Sequence, residues 1–437
     1  MAELIRHTYS VCPVCLRRLP AEIVKRGQEY YLDKTCCAHG PFSTVVWRGD
    51  APAFEAWGNY VPLAEAEQPD CPNACGLCPG HRQKTCCVLI EVTQRCNLSC
   101  PYCFARSGGE SVDPTIEQLS ECFGQLVEYG NTFVQLSGGE PTVRDDLPEI
   151  VAAARAAGCE HIQLNSNGIR LGADRAYTKA LAQAGLSFVF MQFDGAEEAI
   201  YEKLRGQPLL AEKRAAIEAC AGELIGVTLV PTVVPGVNDH NLGAIVNFGL
   251  AQSPAVRGIH FQPVSYFGRY PQPPRNEDRI TLPEVLRAIA QQTAGKVKIG
   301  DLAPSACDHP RCGFHGDFVV MPDRLMPLTP KPRADCCAAD DGRAHLKNRN
   351  FVARRWKRTT AEDTGATQDG KDSCCGDGLI QLDSFLGRVK SHGFTITAMA
   401  FQDAYTLDIE RLRRCSLHVY QDGKTVPFCA RYLTAEA

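Results

Sequence analysis

The sequence predicts an α/β fold: a parallel sheet or barrel of six strands, with cysteine-rich segments on both sides. Three observations predict it. From residue 88 to about 295, short apolar runs alternate with stretches of helical periodicity. Polar and glycine residues directly follow several of those runs, where such folds bind ligands. Most of the 23 cysteines lie before this alternation, at its opening, or after it.

Residues 1–67 read as a small cysteine-bearing unit and a connector. "CPVC" lies on one side of a strand-like "EYYL", "CCAHG" closes the far side, and residues 49–67 read as helical. Residues 68–87 hold a second nest, "CPNACGLCPGHRQKTCC". The alternating region, 88–295, opens on "VLIEV". The strands "TFVQL" (132–136), "HIQLN" (161–165), "SFVFMQF" (187–193), "GVTLVPTVV" (226–234) and "GIHFQPV" (258–264) follow. Between the first two, Ile116, Leu119, Phe123, Leu126 and Val127 share one helix face, with Asp113-Pro114 as start signal and Gly130 as stop. Residues 296–437 lose this pattern. "CDHPRC" begins a third cysteine region, 338–373 read as polar and loop-like, and the tail reads as strands around a "QDGK" turn.

The composition is that of a globular protein, 44% hydrophobic and 22% charged. A net charge of −4 gives no basic surplus for a nucleic-acid partner, so none is expected. No apolar run approaches the ~18 residues of a membrane span, and the first residues have no apolar signal core. So many cysteines without a leader read as metal ligands or redox groups in a reducing cytoplasm.

Two motifs and three cysteine sets carry the chemistry. "CNLSCPYCFA" sets Cys96, Cys100 and Cys103 together with no fourth cysteine beside them. They suit either three irons of a 4Fe-4S cluster with one iron left open, or a zinc site completed from elsewhere. "LSGGEP" follows the next strand: Gly138 and Gly139 expose backbone polar groups, and Glu140 offers a carboxylate to a cationic amino group. Cys71, Cys75, Cys78 and Cys86 suit a closed 4Fe-4S cluster or zinc. Cys12, Cys15, Cys36 and either Cys37 or His39 suit a tetrahedral mononuclear iron or zinc. Cys307 and Cys312 are grouped with Cys415 and Cys429 as a third cluster. Cys122, Cys159 and Cys220, in helical stretches, read as packed core thiols. The run "RAHLKNRNFVARRWKR", with seven Lys/Arg and no acid, reads as a solvated charged face, with an anionic-surface site as the alternative. "DSCCGDG" places Cys374-Cys375 in a mobile-looking loop, as a reactive thiol pair or one without a role.

With CxxxCxYC followed by GGEP, the sequence resembles the radical S-adenosylmethionine (radical SAM) enzymes. The resemblance implies a partial (β/α)6 barrel over residues 88–290. It implies a 4Fe-4S cluster on Cys96, Cys100 and Cys103 whose open iron is chelated by SAM. Glu140 and nearby backbone would hold the SAM amino group, Tyr102 would lie by the adenine, and Asn165, Asn167 and Asp194 would meet ribose and carboxylate. Reductive cleavage to a 5′-deoxyadenosyl radical would follow, driven by a low-potential donor such as ferredoxin or flavodoxin. The cysteine segments together resemble the branch holding archaeal tetraether-lipid synthase and pterin methyltransferase-like proteins. That branch implies one or two auxiliary 4Fe-4S clusters, a mononuclear metal, and C–C bond formation or methylation on a hydrophobic or pterin-like small molecule. Peptide modification and a non-catalytic electron carrier or metal scaffold are the alternatives. The chain departs from the branch after residue 312, where helices of a lipid tunnel are expected, which weighs against a lipid-like substrate.

Overall fold

The computed structural model describes residues 2–50, 52–58, 71–72, 78, 80–109, 111–305, 307–328, 344–358 and 385–435. Four strands form an N-terminal antiparallel meander: β1 (Ala2–Val11), β2 (Arg18–Arg26), β3 (Glu29–Cys36) and β4 (Gly40–Arg48). Its two outer hairpin turns carry the metal-type residues, one between β1 and β2 and one between β3 and β4. The expected helical connector is not helical over 52–58, which are turns. Pro52 and Gly58, at φ +81°, oppose a helix. Burial then decides: Phe54 stacks on Tyr30 at 4.5 Å, and Trp57 packs against Trp47.

Six parallel strands follow, in spatial order: β5 (Cys87–Thr93), β6 (Phe133–Gly138), β7 (His161–Ser166), β8 (Phe188–Gln192), β9 (Gly226–Val230) and β11 (Val256–Pro263). The two-residue β10 (Thr232–Val233) continues β9 past Pro231 and pairs with β11. The crossovers carry helices α1 (Ile116–Glu128), α2 (Leu147–Ala156), α3 (Ile169–Ala173), α4 (Arg175–Ala184), α5 (Glu198–Arg205), α6 (Leu210–Gly222) and α7 (Leu242–Ala251), and α8 (Leu282–Gln292) follows β11. Helix α1 begins in a capping box on Thr115 and buries Leu119, Phe123 and Leu126, the face its periodicity predicts. The strands bury Val134, Leu136, Ile162, Leu164, Val189, Val227, Leu229 and Ile259 against this helical layer. Each such side chain contributes about 1.5–3 kcal/mol. Alternate residues face the interior. The fold is a partial (β/α)6 barrel in the α/β class, as predicted.

The segment after residue 300 widens the same sheet at both edges. β12 (Ala303–Pro304), β13 (Gly313–Val320) and β14 (Leu325–Pro327) join beyond β15 (Gly393–Met399), which runs parallel to β11. At the far edge β16 (Leu417–Gln421) runs parallel to β5 and turns into β17 (Lys424–Pro427). The turn is Asp422-Gly423, both at positive φ, as "QDGK" predicts.

The basic run corrects one expectation and qualifies another. Residues 344–356, expected to be loop-like, form helix α9 (Ala344–Trp356), which is solvated on one side, at Lys347 and Arg354, and packed on the other. Its Trp356 is buried among Phe188, Phe133 and Cys87, closing the N-terminal end of the barrel. Arg355 pairs with Asp317 at 2.6 Å, and Arg349 donates to the Gly130 carbonyl at 2.9 Å. Arg349, Arg355 and Arg358 are taken up by the protein while Lys347, Arg354 and Lys357 stay exposed, and Trp356, Val352 and Phe351 supply the packed side that periodicity alone understated.

Candidate functional site

Strand β5 ends at Thr93 and releases the loop that carries Cys96, Cys100 and Cys103. Two glycines seat this loop. Gly139 N donates to Thr93 O (2.8 Å) and Glu140 N to Arg95 O (2.9 Å). A Cβ on Gly138 would stand 2.0 Å from Thr93 O, and one on Gly139 2.1 Å from Arg95 O. The glycine pair therefore fixes how closely β6 approaches the cysteine loop. From the other side Cys103 and Arg269 pair through both backbone groups, and the Arg269 guanidinium donates to Cys100 O at 2.9 Å. Burial pushes the Cys96 thiol pKa up, while Leu98 N points at its sulfur from 3.4 Å.

Glu140 is buried and its carboxylate is held on both oxygens. Thr142 N (3.1 Å), Thr142 Oγ1 (2.7 Å) and Ser166 Oγ (2.8 Å) donate to Oε1, and Asn167 N (2.6 Å) donates to Oε2. Asn167 Nδ2 donates to Asn97 Oδ1 (2.7 Å), tying the "NSNG" turn to the cysteine loop. Asn165 accepts from Gln163 Nε2 at 2.6 Å and lies in the interior. Tyr102 packs edge-on against Tyr266, ring centres 6.4 Å apart. Asp194 is fully buried and takes a bidentate ion pair from Arg205, 2.7 Å on each arm. So the predicted residues Cys96, Cys100, Tyr102, Gly138, Glu140, Asn165, Asn167 and Asp194 gather at or just inside one mouth.

Two cations there escaped the sequence reading. Arg205 ends α5 and lies beside Cys100; burial opposes its charge, but Asp194 outweighs that and raises its pKa. Lys213 is fully buried on α6, donates to Asn167 O and to Gln192 Oε1 (3.0 Å), and has its pKa lowered to about 8 by burial. Lys213 had a signal: it shares a helix face with Ile217 and Cys220. Arg205 had none.

The N-terminal turns bring Cys12, Cys15, Cys36 and His39 together, their ligand atoms all within 4.8 Å of one another. Three sulfurs and one imidazole at that spacing fit a tetrahedral zinc or iron. His39, not Cys37, completes the set; Cys37 is exposed and meets Arg17. Backbone amide contact at Ala38 leads in lowering the Cys36 pKa to about 6. Among the described residues no other group of three such side chains closes to that distance. The barrel triad is therefore not drawn in around a single ion.

Cys71, Cys86, Cys87, Cys307, Cys312, Cys415 and Cys429 come together beside β16, buried or half-buried. Cys86 lies against Cys307 and Cys87 and accepts from Asn348 Nδ2 at 3.4 Å. Cys71 packs in the same apolar cluster as Cys429. Cys429 and Cys312 lie within electrostatic reach of Cys415, and Arg411 donates to Cys312 at 3.5 Å. The two predicted ligand sets thus meet beside β16. Cys75, Cys336, Cys337, Cys374 and Cys375 lie outside the described residues. Cys122, Cys159 and Cys220 are buried core thiols as expected, with burial raising their pKa values to about 12, 11 and 12.

The radical SAM superfamily profile matches residues 90–249, and the profile of the HMPTM N-terminal zinc ribbon domain matches residues 4–48. The chain is 32% identical to the 7,8-dihydro-6-hydroxymethylpterin dimethyltransferase of Methanocaldococcus jannaschii, over 97% of this chain and 92% of that one. It is 33% identical to the PqqA peptide cyclase of Bradyrhizobium diazoefficiens over 37% of this chain and 43% of that one. The crystal structure of Streptococcus suis SuiB matches with a TM-score of 0.41 and 14% identity, over 48% of this chain and 46% of that one.

Proposed function

The chain belongs to the radical SAM superfamily, and from that premise we propose that it is an enzyme that methylates, or forms a C–C bond on, a pterin-like small molecule. The observation that carries this reading is the end-to-end likeness to a pterin dimethyltransferase, zinc-ribbon region included. The peptide-modifying alternative rests on a likeness that covers a minor part of the chain. The non-catalytic carrier falls, because the family is one of enzymes.

The donor set at the barrel mouth fits a SAM-binding 4Fe-4S cluster: three thiols on one short loop, desolvated at Cys96, with a guanidinium beside Cys100. Cys96, Cys100 and Cys103 would hold that cluster. Loaded with SAM, it would supply reductive cleavage to a 5′-deoxyadenosyl radical, with a ferredoxin or flavodoxin as electron source. The chain's own residues do the positioning. Gly138 and Gly139 bring the Glu140 backbone to the loop. Arg205 and Lys213 offer the positive charge that a carboxylate at this mouth needs, and Asp194 keeps Arg205 in place. Tyr102, set edge-on by Tyr266, offers an aromatic face. Cys12, Cys15, Cys36 and His39 would hold zinc or a single iron. Cys71, Cys86, Cys307, Cys312, Cys415 and Cys429, with Cys75 and Cys78 of the second nest, would hold one or two auxiliary 4Fe-4S clusters.

No described helix is long and apolar enough to cross a membrane; it is the many cysteines, read as metal ligands or redox groups, that support a reducing cytoplasm as the enzyme's location. The test is direct. Reconstituted, reduced enzyme is given SAM and 7,8-dihydro-6-hydroxymethylpterin, and the pterin is followed by mass spectrometry. Gain of one or two methyl groups supports the reading; an unchanged pterin alongside SAM consumption sends the chemistry to another substrate.

A further inference from the structure

Outside the barrel lumen, strand β4 of the meander faces residues 263–265 and 400–401, just past the carboxyl ends of β11 and β15, across two adjoining hollows. Trp47, Arg311 and Arg411 line both. Arg6 and Asp408 belong to the first, and Arg279 to the second. The hollows hold about 20 and 50 Å³ of space that water can occupy. At about 10–15 Å³ for one water, that is room for a phosphate or carboxylate group and not for a bicyclic ring. The second hollow stands one aromatic side chain from the candidate site: Arg279 lies over the Tyr266 ring at 4.9 Å, and Tyr266 packs on Tyr102.

The polar lining is dominated by guanidinium groups, which donate and cannot accept. Asp408, the single carboxylate in the lining, is already committed. It takes Arg6, and it accepts from Thr8 Oγ1 (2.7 Å) and from Glu410 N (3.1 Å). Arg279 is held from behind by Asp403 at 2.9 Å, and Arg311 lies over the Phe54 ring at 3.6 Å. Arg411 makes no ion pair among the described residues. It donates to Ala400 O (3.0 Å) and Cys312 Sγ (3.5 Å), both through Nη2. The Nε–H groups of Arg279 and Arg411 are buried without a hydrogen-bond partner among the described residues, a standing cost in the empty seam. A cation would meet four guanidinium groups here, and an apolar group would leave those donors unpaired. An anion answers both, and the planar fork of arginine matches phosphate and carboxylate oxygens.

We propose that this seam is a binding site for an oxyanion, a phosphate or carboxylate group, held by Arg411 with Arg279 and Arg311. The inference goes beyond the reaction proposed above and does not depend on it.

The experiment uses the reconstituted full chain in a zwitterionic buffer, with sodium phosphate, sodium succinate and sodium chloride as probes at matched ionic strength. Binding is measured by calorimetry on wild type, Arg411→Gln and Val46→Phe, and iron and zinc are counted in each. Val46 is half-buried and lines both hollows, so phenylalanine there fills them while leaving every arginine in place. Phosphate or succinate should bind wild type and chloride should not. Arg411→Gln should lose about tenfold or more in affinity, and Val46→Phe should lose at least as much. A merely structural Arg411 would lower the melting temperature and leave the affinity unmoved. Because Arg411 also touches Cys312, a variant short of iron is set aside and Val46→Phe decides. No anion binding to wild type, chloride binding as well as phosphate, or an affinity that ignores Val46→Phe overturns the proposal. A phosphate monoester of 7,8-dihydro-6-hydroxymethylpterin separates two sources of the same chemistry. Tighter binding than free phosphate would make the anion a substituent of a larger ligand, and equal binding would make it a free ion; either supports the site. Calorimetry needs no turnover, so failure here leaves the proposed reaction standing.

Discussion

Asp194 and Arg205 form a buried bidentate ion pair, with side chains 0% and 7% exposed, directly beside the thiol of Cys100. A pair this dry is held in place by mutual need. Removing one partner strands a charge, which costs about 3–5 kcal/mol. Asp194→Asn and Arg205→Met should each lower the melting temperature sharply, whereas the double variant should recover part of the loss. Chemical denaturation of the three proteins measures this coupling, and additive losses would mean that the pair is not a unit.

The glycine pair predicts a steric effect. Gly139→Ala would place a methyl group 2.1 Å from Arg95 O, where backbone cannot yield cheaply. We expect a loss of about 1–3 kcal/mol together with loss of iron from the Cys96 loop, which β6 no longer seats. Iron analysis and a melt on the same sample test both. Full iron at wild-type stability would refute the seating role.

Lys213 predicts a pH dependence. Its pKa is about 8 in the fold against 10.5 when exposed. Between these values the unfolded chain binds the extra proton, so the stability due to this group rises with pH from about 8 to 10.5 and its burial penalty is fully present below about 8. The interval corresponds to about 3 kcal/mol. Lys213→Met should be the more stable protein relative to wild type at pH 7, and the difference should shrink as pH rises. A difference that stays constant with pH would count against a depressed pKa.

The N-terminal turns predict one separable metal. Cys15→Ser should lose one zinc or iron per chain while the barrel keeps its iron, because the knuckle's ligands all come from the meander. Elemental analysis of the variant reads both. An unchanged metal count would place the ion elsewhere.

These relationships were legible in the sequence to very different degrees. The six parallel strands were readable because each is a short apolar run ended by a glycine or polar residue. The cysteine triad and GGE were readable because their spacing is local. His39 over Cys37 was not, since both lie within one turn of Cys36 and only the fold decides which one reaches the other three ligands. Strand β15 pairs with β11 across more than a hundred residues, and sequence periodicity carries no record of partners that far apart. Helix α9 was hidden by charge: the seven Lys/Arg of the run 343–358 masked the few apolar residues that pack. Asp194 was read and its partner Arg205 was missed, because an ion pair formed by the fold leaves no mark on local sequence.

The account's central claim is that Cys96, Cys100 and Cys103 make this a SAM-cleaving enzyme. Its most direct measurement is 5′-deoxyadenosine formation by the anaerobically reconstituted, reduced protein given SAM and the dihydropterin, beside Cys100→Ala. The account predicts product from wild type and none from the variant, which keeps its knuckle metal. Equal product from both, or none from a wild type whose barrel cluster is loaded, would contradict it.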